Sequence, residues 1–330
     1  MESKSNKILI CTPLEGIAKV RERLESLSEI IYEPDIDIDF FENNNQENIA
    51  GIFTNPNRSK IFFSDNVLGK LKNLKFICTA STGTVHIDLD AAKKKNIKII
   101  SLKNETDFLS KVTSTAELAF TLMMMSIRNV NKAAIDVQEG KWDCENFVGK
   151  QVNDLKIGIL GLGRLGKIFA SYCNAFDATP VFYDPFVDDC DHLDVKKVSN
   201  LNHFLSNIDV LSIHIHANKE NHKFINEDFL DKCKENILII NTSRGEVVDE
   251  KHLIRFLEKN PRSFYATDVI YDEIESRFNS PIYDSFKKLY PDGNIFITPH
   301  IGGMSDGARK LAYNKSVDLL EEFLGGEKNV

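Results

Sequence analysis

At 330 residues, with 42% hydrophobic and 27% charged side chains, the chain has the size of about two globular domains and the composition of an ordinary folded protein. Its 41 basic against 49 acidic residues leave a net charge of -8, which argues against a binder of nucleic-acid phosphates. The six cysteines form no C-x-x-C pair, and the polar residues 1–7 lead straight into a strand with no secretory segment, so a reduced, cytoplasmic protein is expected.

In chain order, short apolar strands are expected at 8–11, 49–54, 76–80 and 97–100, with amphipathic helices between them. Lys93, Lys94 and Lys95 fall on one of those helices and read as a solvated face. From 107 to 130, Ala116, Leu118, Ala119, Leu122, Met123 and Ile127 recur at helical spacing, which predicts one long helix joining two domains and forming part of their hinge. The methionines at 123–125 read as its core. The apolar run 118–127 is too short to span a bilayer, so no membrane role is expected. After 131–149, which holds the only tryptophan, Trp142, further strands are expected at 156–160, 180–183, 210–215, 237–241, 265–269 and 295–298. A last helix at 305–324, with Tyr313, Val317, Leu320 and Leu324 in a stripe, is expected to cross back and complete the first domain. Strands alternating with helices in two sets predict an α/β protein of two doubly wound parallel-sheet domains.

The strand at 156–160 runs into Gly161-Leu162-Gly163-Arg164-Leu165-Gly166, and the strand after the following helix ends in Asp184. This order suits a dinucleotide: Gly161 allows the tight turn, Gly163 lets the backbone approach a pyrophosphate, Gly166 lets the helix pack on the strand, and Arg164 and Leu165 open the helix whose N-terminus receives the phosphates. Asp184 stands at roughly the 20-residue offset of a ribose-binding acid, and the neighbouring 185–189 supply no arginine, so NAD is favoured over NADP.

Chemistry is expected where later strands end. After 237–241 come Thr242, Ser243 and Arg244; the next strand delivers Asp268, with Glu273 just beyond; and the strand at 295–298 runs into Pro299-His300-Ile301-Gly302-Gly303. A guanidinium grips a carboxylate with two parallel hydrogen bonds, and an imidazole beside a carboxylate is held in one tautomer, ready to move a proton near neutral pH. His214 and His216 share a strand face, but no third ligand is evident and no metal is expected.

Over nearly its whole length the chain resembles the D-isomer-specific 2-hydroxyacid dehydrogenases, a family that includes the D-3-phosphoglycerate dehydrogenases. The likeness runs through Leu74-Lys75-Phe76-Ile77, His86-Ile87-Asp88-Leu89, Ser114-Thr115-Ala116-Glu117-Leu118-Ala119, the glycine loop, Asn241-Thr242-Ser243-Arg244-Gly245 and Thr298-Pro299-His300-Ile301-Gly302-Gly303. The resemblance implies a Rossmann NAD-binding domain at 106–302 inserted into a flavodoxin-like substrate domain of 1–105 plus 303–330, usually as a homodimer, catalysing hydride transfer between NAD and a small 2-hydroxy or 2-oxo acid. It implies that Arg244 binds the substrate carboxylate and keto oxygen, that His300 is the proton donor and acceptor, that Glu273 orients and charges His300, and that Asp268 holds the nicotinamide carboxamide. His214, Thr242, Gly302 and Gly303 would join Gly161, Gly163, Arg164, Leu165, Gly166 and Asp184 around the cofactor. Ser81, Thr82 and Gly83 would bind the substrate carboxylate through backbone N–H groups, and Arg58 would meet a substrate anion, as in phosphoglycerate-type enzymes. Ser81 replaces a frequent glycine, His86 a frequent asparagine and Ile274 a frequent proline, departures that bear on the substrate more than on the reaction. The alternative is an NAD(H)-sensing binding protein of corepressor type on the same fold, which would not need a His and Glu pair; an S-adenosylmethionine methyltransferase is disfavoured by the Arg, Glu and His set.

Overall fold

The computed structural model describes residues 6–43, 48–56, 61–274 and 279–327; Arg58, expected as an anion contact, lies outside the described residues. The chain divides into two compact units, Met1–Val112 with Gly303–Val330, and Thr113–Gly302.

The first unit carries a five-stranded parallel sheet of β1 (Lys7–Ile10), β2 (Glu29–Tyr32), β3 (Ile49–Thr54), β4 (Phe76–Thr79) and β5 (Lys98–Ser101), in the order β2-β1-β3-β4-β5. That is the flavodoxin-like order of a doubly wound sheet. Every residue of β3 and β4 is buried, as central strands covered on both faces require, and this is why they read as unbroken apolar runs. β2 escapes a sequence reading because it is an edge strand with no fully buried residue. The helix Asp306–Glu327 returns to this unit and buries Tyr313, Val317 and Leu320 against Ile8, Ile10 and Phe53. Tyr313 Oη lies 2.6 Å from Thr12 Oγ1, and Arg23 donates to Asp318 and Glu321 at 2.7 Å each. The division between the units falls after Val112 rather than at 105/106, and the segment just past β5 is tied to the first unit. There Leu102 N–H donates to the Ser81 carbonyl at 3.0 Å, and Glu105 pairs with Lys315 at 2.9 Å.

The second unit holds a seven-stranded parallel sheet of β6 (Ile157–Leu160), β7 (Val181–Tyr183), β8 (Lys196–Lys197), β9 (Val210–Ile213), β10 (Leu238–Asn241), β11 (Phe264–Thr267) and β12 (Ile295–Ile297), in the order β12-β11-β10-β9-β6-β7-β8. This is the Rossmann order with one strand added, and the direction of winding reverses between β6 and β9. β8 is a two-residue edge strand of lysines and carries no apolar signal. The single helix expected over 107–130 is instead two, Thr106–Leu109 and Ser114–Ile127, and a further helix, Val130–Gln138, starts from Asn129 in the left-handed region at φ 52°. Ser114–Ile127 lies within the second unit, where Ala119, Leu122 and Met123 pack in one core with Phe169 and Ala170 of the helix Arg164–Ala175. Among the described residues no helix is long and apolar enough to cross a membrane.

Candidate active site

The glycine loop follows β6 at the point where the winding reverses. Gly161 sits at φ +91°, where a side chain would be strained, and a Cβ there would also lie 2.9 Å from Ile215 Cγ2. At Gly163 a Cβ would meet nothing within 4 Å, so the backbone is laid open. At Gly166 a Cβ would fall 2.3 Å from the Gly161 carbonyl oxygen, so the helix Arg164–Ala175 can start this close to the strand end only without a side chain. Arg164 and Leu165, both half-buried, begin that helix, and burial holds the Arg164 guanidinium below its ordinary pKa.

Asp184 stands one residue past β7, half-buried. Its Oδ2 accepts from Leu162 N at 2.9 Å and its Oδ1 from Phe186 N at 2.8 Å, so the acid also fastens the glycine loop. Two carboxylate oxygens offer about four acceptor positions, and two of these remain for a ribose. Among the described residues the Thr242 hydroxyl, buried after β10, has no hydrogen-bond partner, an orphan that a bound group would satisfy. His214 N–H donates to the Leu160 carbonyl at 2.8 Å, which places the imidazole beside the glycine turn, with Nε2 2.8 Å from Ser212 Oγ and its ring 5.3 Å from that of Phe169. Burial pushes its pKa down to about 3, so this histidine stays neutral at any physiological pH. An open Gly163, a left-handed turn at Gly161, a spare acid and an orphaned hydroxyl fit a dinucleotide.

Three neighbouring strands end at the second cluster. At the end of β10, the buried Asn241 shapes the turn: its Oδ1 accepts from Ser243 N at 3.0 Å and Ser243 Oγ at 2.8 Å, and its Nδ2 donates to the Arg244 carbonyl at 2.9 Å. Arg244 is half-buried, and its Nη1 donates to the Ser243 carbonyl at 2.6 Å. Gly245 follows where a Cβ would sit 2.0 Å from the backbone of Ile270, so the turns after β10 and β11 touch. Beyond β11, Asp268 is 2% exposed and accepts from Thr298 Oγ1 at 2.6 Å, Ile301 N at 2.8 Å and Gly302 N at 2.7 Å. Burial raises its pKa, against the pull of those donors and of His300. Beyond β12, His300 lies in the left-handed region at φ 53°, its N–H donating to the Asp268 carbonyl at 3.0 Å and its Nδ1 hydrogen-bonded to Glu273 Oε1. The two side chains are only 15% and 20% exposed. Glu246 joins them: burial first, then the neighbouring Glu273, push its carboxyl above the ordinary range, opposed by Arg244.

The structure thus brings Arg244, Glu273, Asp268, His300 and Gly302 together at the carboxyl ends of β10, β11 and β12. In the first unit, Ser81, Thr82 and Gly83 follow the carboxyl end of β4, where Ser81 Oγ donates to the Gly83 carbonyl at 2.7 Å and lies 2.9 Å from Thr79 Oγ1. Gly303 opens the segment that returns to that unit. Sequence reading missed Asn241 and Glu246. Only Asn241 carried a signal, a polar residue closing an apolar strand.

Residues 120–302 match the model of the D-isomer specific 2-hydroxyacid dehydrogenase, NAD binding domain. The chain is 30% identical over 268 residues to a hydroxypyruvate reductase of Thermotoga maritima, covering 81% of this chain and 83% of that protein. It is 29% identical over 275 residues to the D-3-phosphoglycerate dehydrogenase of Archaeoglobus fulgidus, covering 83% of this chain but 49% of that protein, so it spans about half the length of that relative. The fold superposes with a TM-score of 0.82 on a D-lactate dehydrogenase from Aquifex aeolicus, solved with NAD and lactic acid, at 27% identity, covering 98% of this chain and 97% of that one. The chain belongs to the D-isomer specific 2-hydroxyacid dehydrogenases and carries their NAD binding domain.

Proposed function

We propose that the protein is an NAD-dependent D-2-hydroxyacid dehydrogenase, interconverting a 2-hydroxy acid and its 2-oxo acid. The observation that carries this reading is the His300–Glu273 pair, anchored by Asp268 at the rim where Arg244 also emerges. When bound, NAD supplies the acceptor or donor of the hydride at substrate C2. Gly161, Gly163 and Gly166 give its pyrophosphate room at the helix start, and Asp184 accepts from the adenosine ribose. Arg164, Leu165, His214, Thr242, Gly302 and Gly303 complete that site, with Asp268 beside the nicotinamide. Arg244 holds the substrate carboxylate through its guanidinium fork. With Nδ1 committed to Glu273, His300 carries the proton to or from the substrate oxygen on Nε2. Ser81–Gly83 keeps the role of a carboxylate-binding loop.

For the substrate, we infer a phosphorylated or sugar-derived acid such as 3-phosphoglycerate, supported by likeness to D-3-phosphoglycerate dehydrogenase and hydroxypyruvate reductase. A homodimer is proposed as well, supported by the apolar side chains the second unit leaves in solvent, Trp142 at 90%, Val148 at 77% and Val137 at 52% exposure. NADH oxidation against 3-phosphohydroxypyruvate, hydroxypyruvate, glyoxylate and pyruvate tests the activity, with His300→Ala expected to lower turnover by roughly two to four decades while NADH still binds. NADH binding without turnover on the panel favours the binding-protein alternative, and full turnover by His300→Ala removes that residue from the mechanism.

A further inference from the structure

The first unit has a concave feature at the opposite end of β4 from the Ser81 loop. Its cavity, of about 520 Å³, is lined by Lys72, Lys75, Lys95 and Lys98 together with Asn73 and Phe323. Lys75 immediately precedes β4 and Lys98 begins β5, with Lys98 N–H donating to the Lys75 carbonyl at 2.8 Å, so these exposed lysines stand side by side where the two parallel strands start; Ser81 lies past the other end of β4. Lys95, at the end of the helix Leu89–Lys94, reaches Asp65 at 3.1 Å. Among the described residues no carboxylate is paired with Lys72, Lys75 or Lys98. Phe323 comes from the returning helix; it is half-buried and stacked edge-on against Phe76, with ring centroids 5.6 Å apart, which fixes the ring in the cavity wall.

Lysines that share one concavity repel each other, and in a chain of net charge -8 such a local excess stands out. A multiply charged anion removes the repulsion, and an ammonium is an effective point-charge partner for phosphate. Two phosphates side by side match this group better than one carboxylate, and Phe323 adds an aromatic lining for a planar, apolar group joined to them. The volume lies inside the ~300–1,000 Å³ range of small-molecule sites. We propose that this cavity is a binding site for a small polyphosphate, of the nucleoside di- or triphosphate class, distinct from the dinucleotide site on the second unit.

The probe is ATP, titrated calorimetrically into the full chain saturated with NADH, so that the dinucleotide site is already filled; inorganic tripolyphosphate is the second probe. ATP is expected to bind with sub-millimolar affinity, weakening with added salt, and tripolyphosphate more weakly because it lacks the group that meets Phe323. The double variant Lys72→Ala, Lys98→Ala should weaken ATP at least about tenfold while its NADH affinity and melting temperature stay those of the parent. No ATP binding at NADH saturation, or binding that the double variant leaves unchanged, overturns the site. Equal affinities for the two probes overturn the part given to Phe323.

Discussion

Glu250 tests how the acidic partner of His300 is held in place. It is 7% exposed, in the first turn of the helix Glu250–Lys259. Its Oε1 accepts from Tyr271 N at 2.8 Å, and its Oε2 accepts from Ser280 Oγ at 2.8 Å and Ile282 N at 3.4 Å. These donors flank Glu273 on both sides in the chain, so one buried carboxylate ties down both ends of the segment that carries it. Glu250→Ala leaves the donors without an acceptor at about 1–3 kcal/mol each, partly offset by removing a charge from a buried place and by water entering; a net loss of about 2–4 kcal/mol follows. For a unit of this size that lowers Tm by about 5–15 °C. Turnover should fall by roughly one to two decades, because His300 loses an oriented partner, while NADH titration stays unchanged. Glu250→Gln keeps one carbonyl acceptor and should recover part of both losses. Burial raises the Glu250 pKa, so its contribution to stability is fullest below the ordinary glutamate range and shrinks as pH rises through the raised value. The Tm gap between parent and Glu250→Ala should therefore be wider at pH 5 than at pH 8. Scanning calorimetry at the two pH values, with a kcat/KM profile, measures all of this; an unchanged Tm, or a lower Tm with an unchanged pH profile and turnover, refutes the positioning role.

Asp184→Ala removes the acceptor of Leu162 N and Phe186 N as well as the ribose contact, so NAD affinity should fall about tenfold and the preference over NADP should narrow in paired titrations; a parent protein that already binds NADP better contradicts the assignment. Gly166→Ala sets a Cβ 2.3 Å from the Gly161 carbonyl oxygen, a backbone atom that cannot swing aside, and should cost about 1–3 kcal/mol in denaturant unfolding together with most NADH binding. His214, neutral down to about pH 3, cannot supply a titration near neutrality. His214→Gln should therefore leave the near-neutral limb of the pH profile where it was, and a displaced limb would reassign that proton.

The central strands and the glycine loop were legible because each obeys a local rule. Strands such as β6, β9 and β10 are buried at all four positions and so are mostly apolar, with Ser212 and Asn241 the polar exceptions, while Gly161 stands where a side chain would strain φ and Gly166 where a Cβ would strike backbone. β2 and β8 were not, since an edge strand need not be apolar. The break between Leu109 and Ser114 was hidden because neither a glycine nor a proline marks it. Arg244, Glu273 and His300 could be proposed from their places after strands, but Asn241 and Glu250 act by holding backbone donors and carbonyls whose positions exist only once the turns are folded.

His300 unites these levels. A non-glycine residue at φ 53° costs of order 1–3 kcal/mol and persists only where its surroundings over-determine it. Asp268 does this by accepting from the backbone N–H groups of the two residues that follow His300 and from Thr298, two residues before it, while its own carbonyl takes the His300 N–H. The backbone of the imidazole is thereby fixed to the end of β11, and Glu273, tied through its segment to Glu250, fixes the ring. Both restraints come from buried carboxyl groups with pKa values raised by burial, Asp268 and Glu250, neither of which need ever exchange a proton with a substrate. Two carboxyl groups thus place the pair, and only the pair carries the proton chemistry proposed for it.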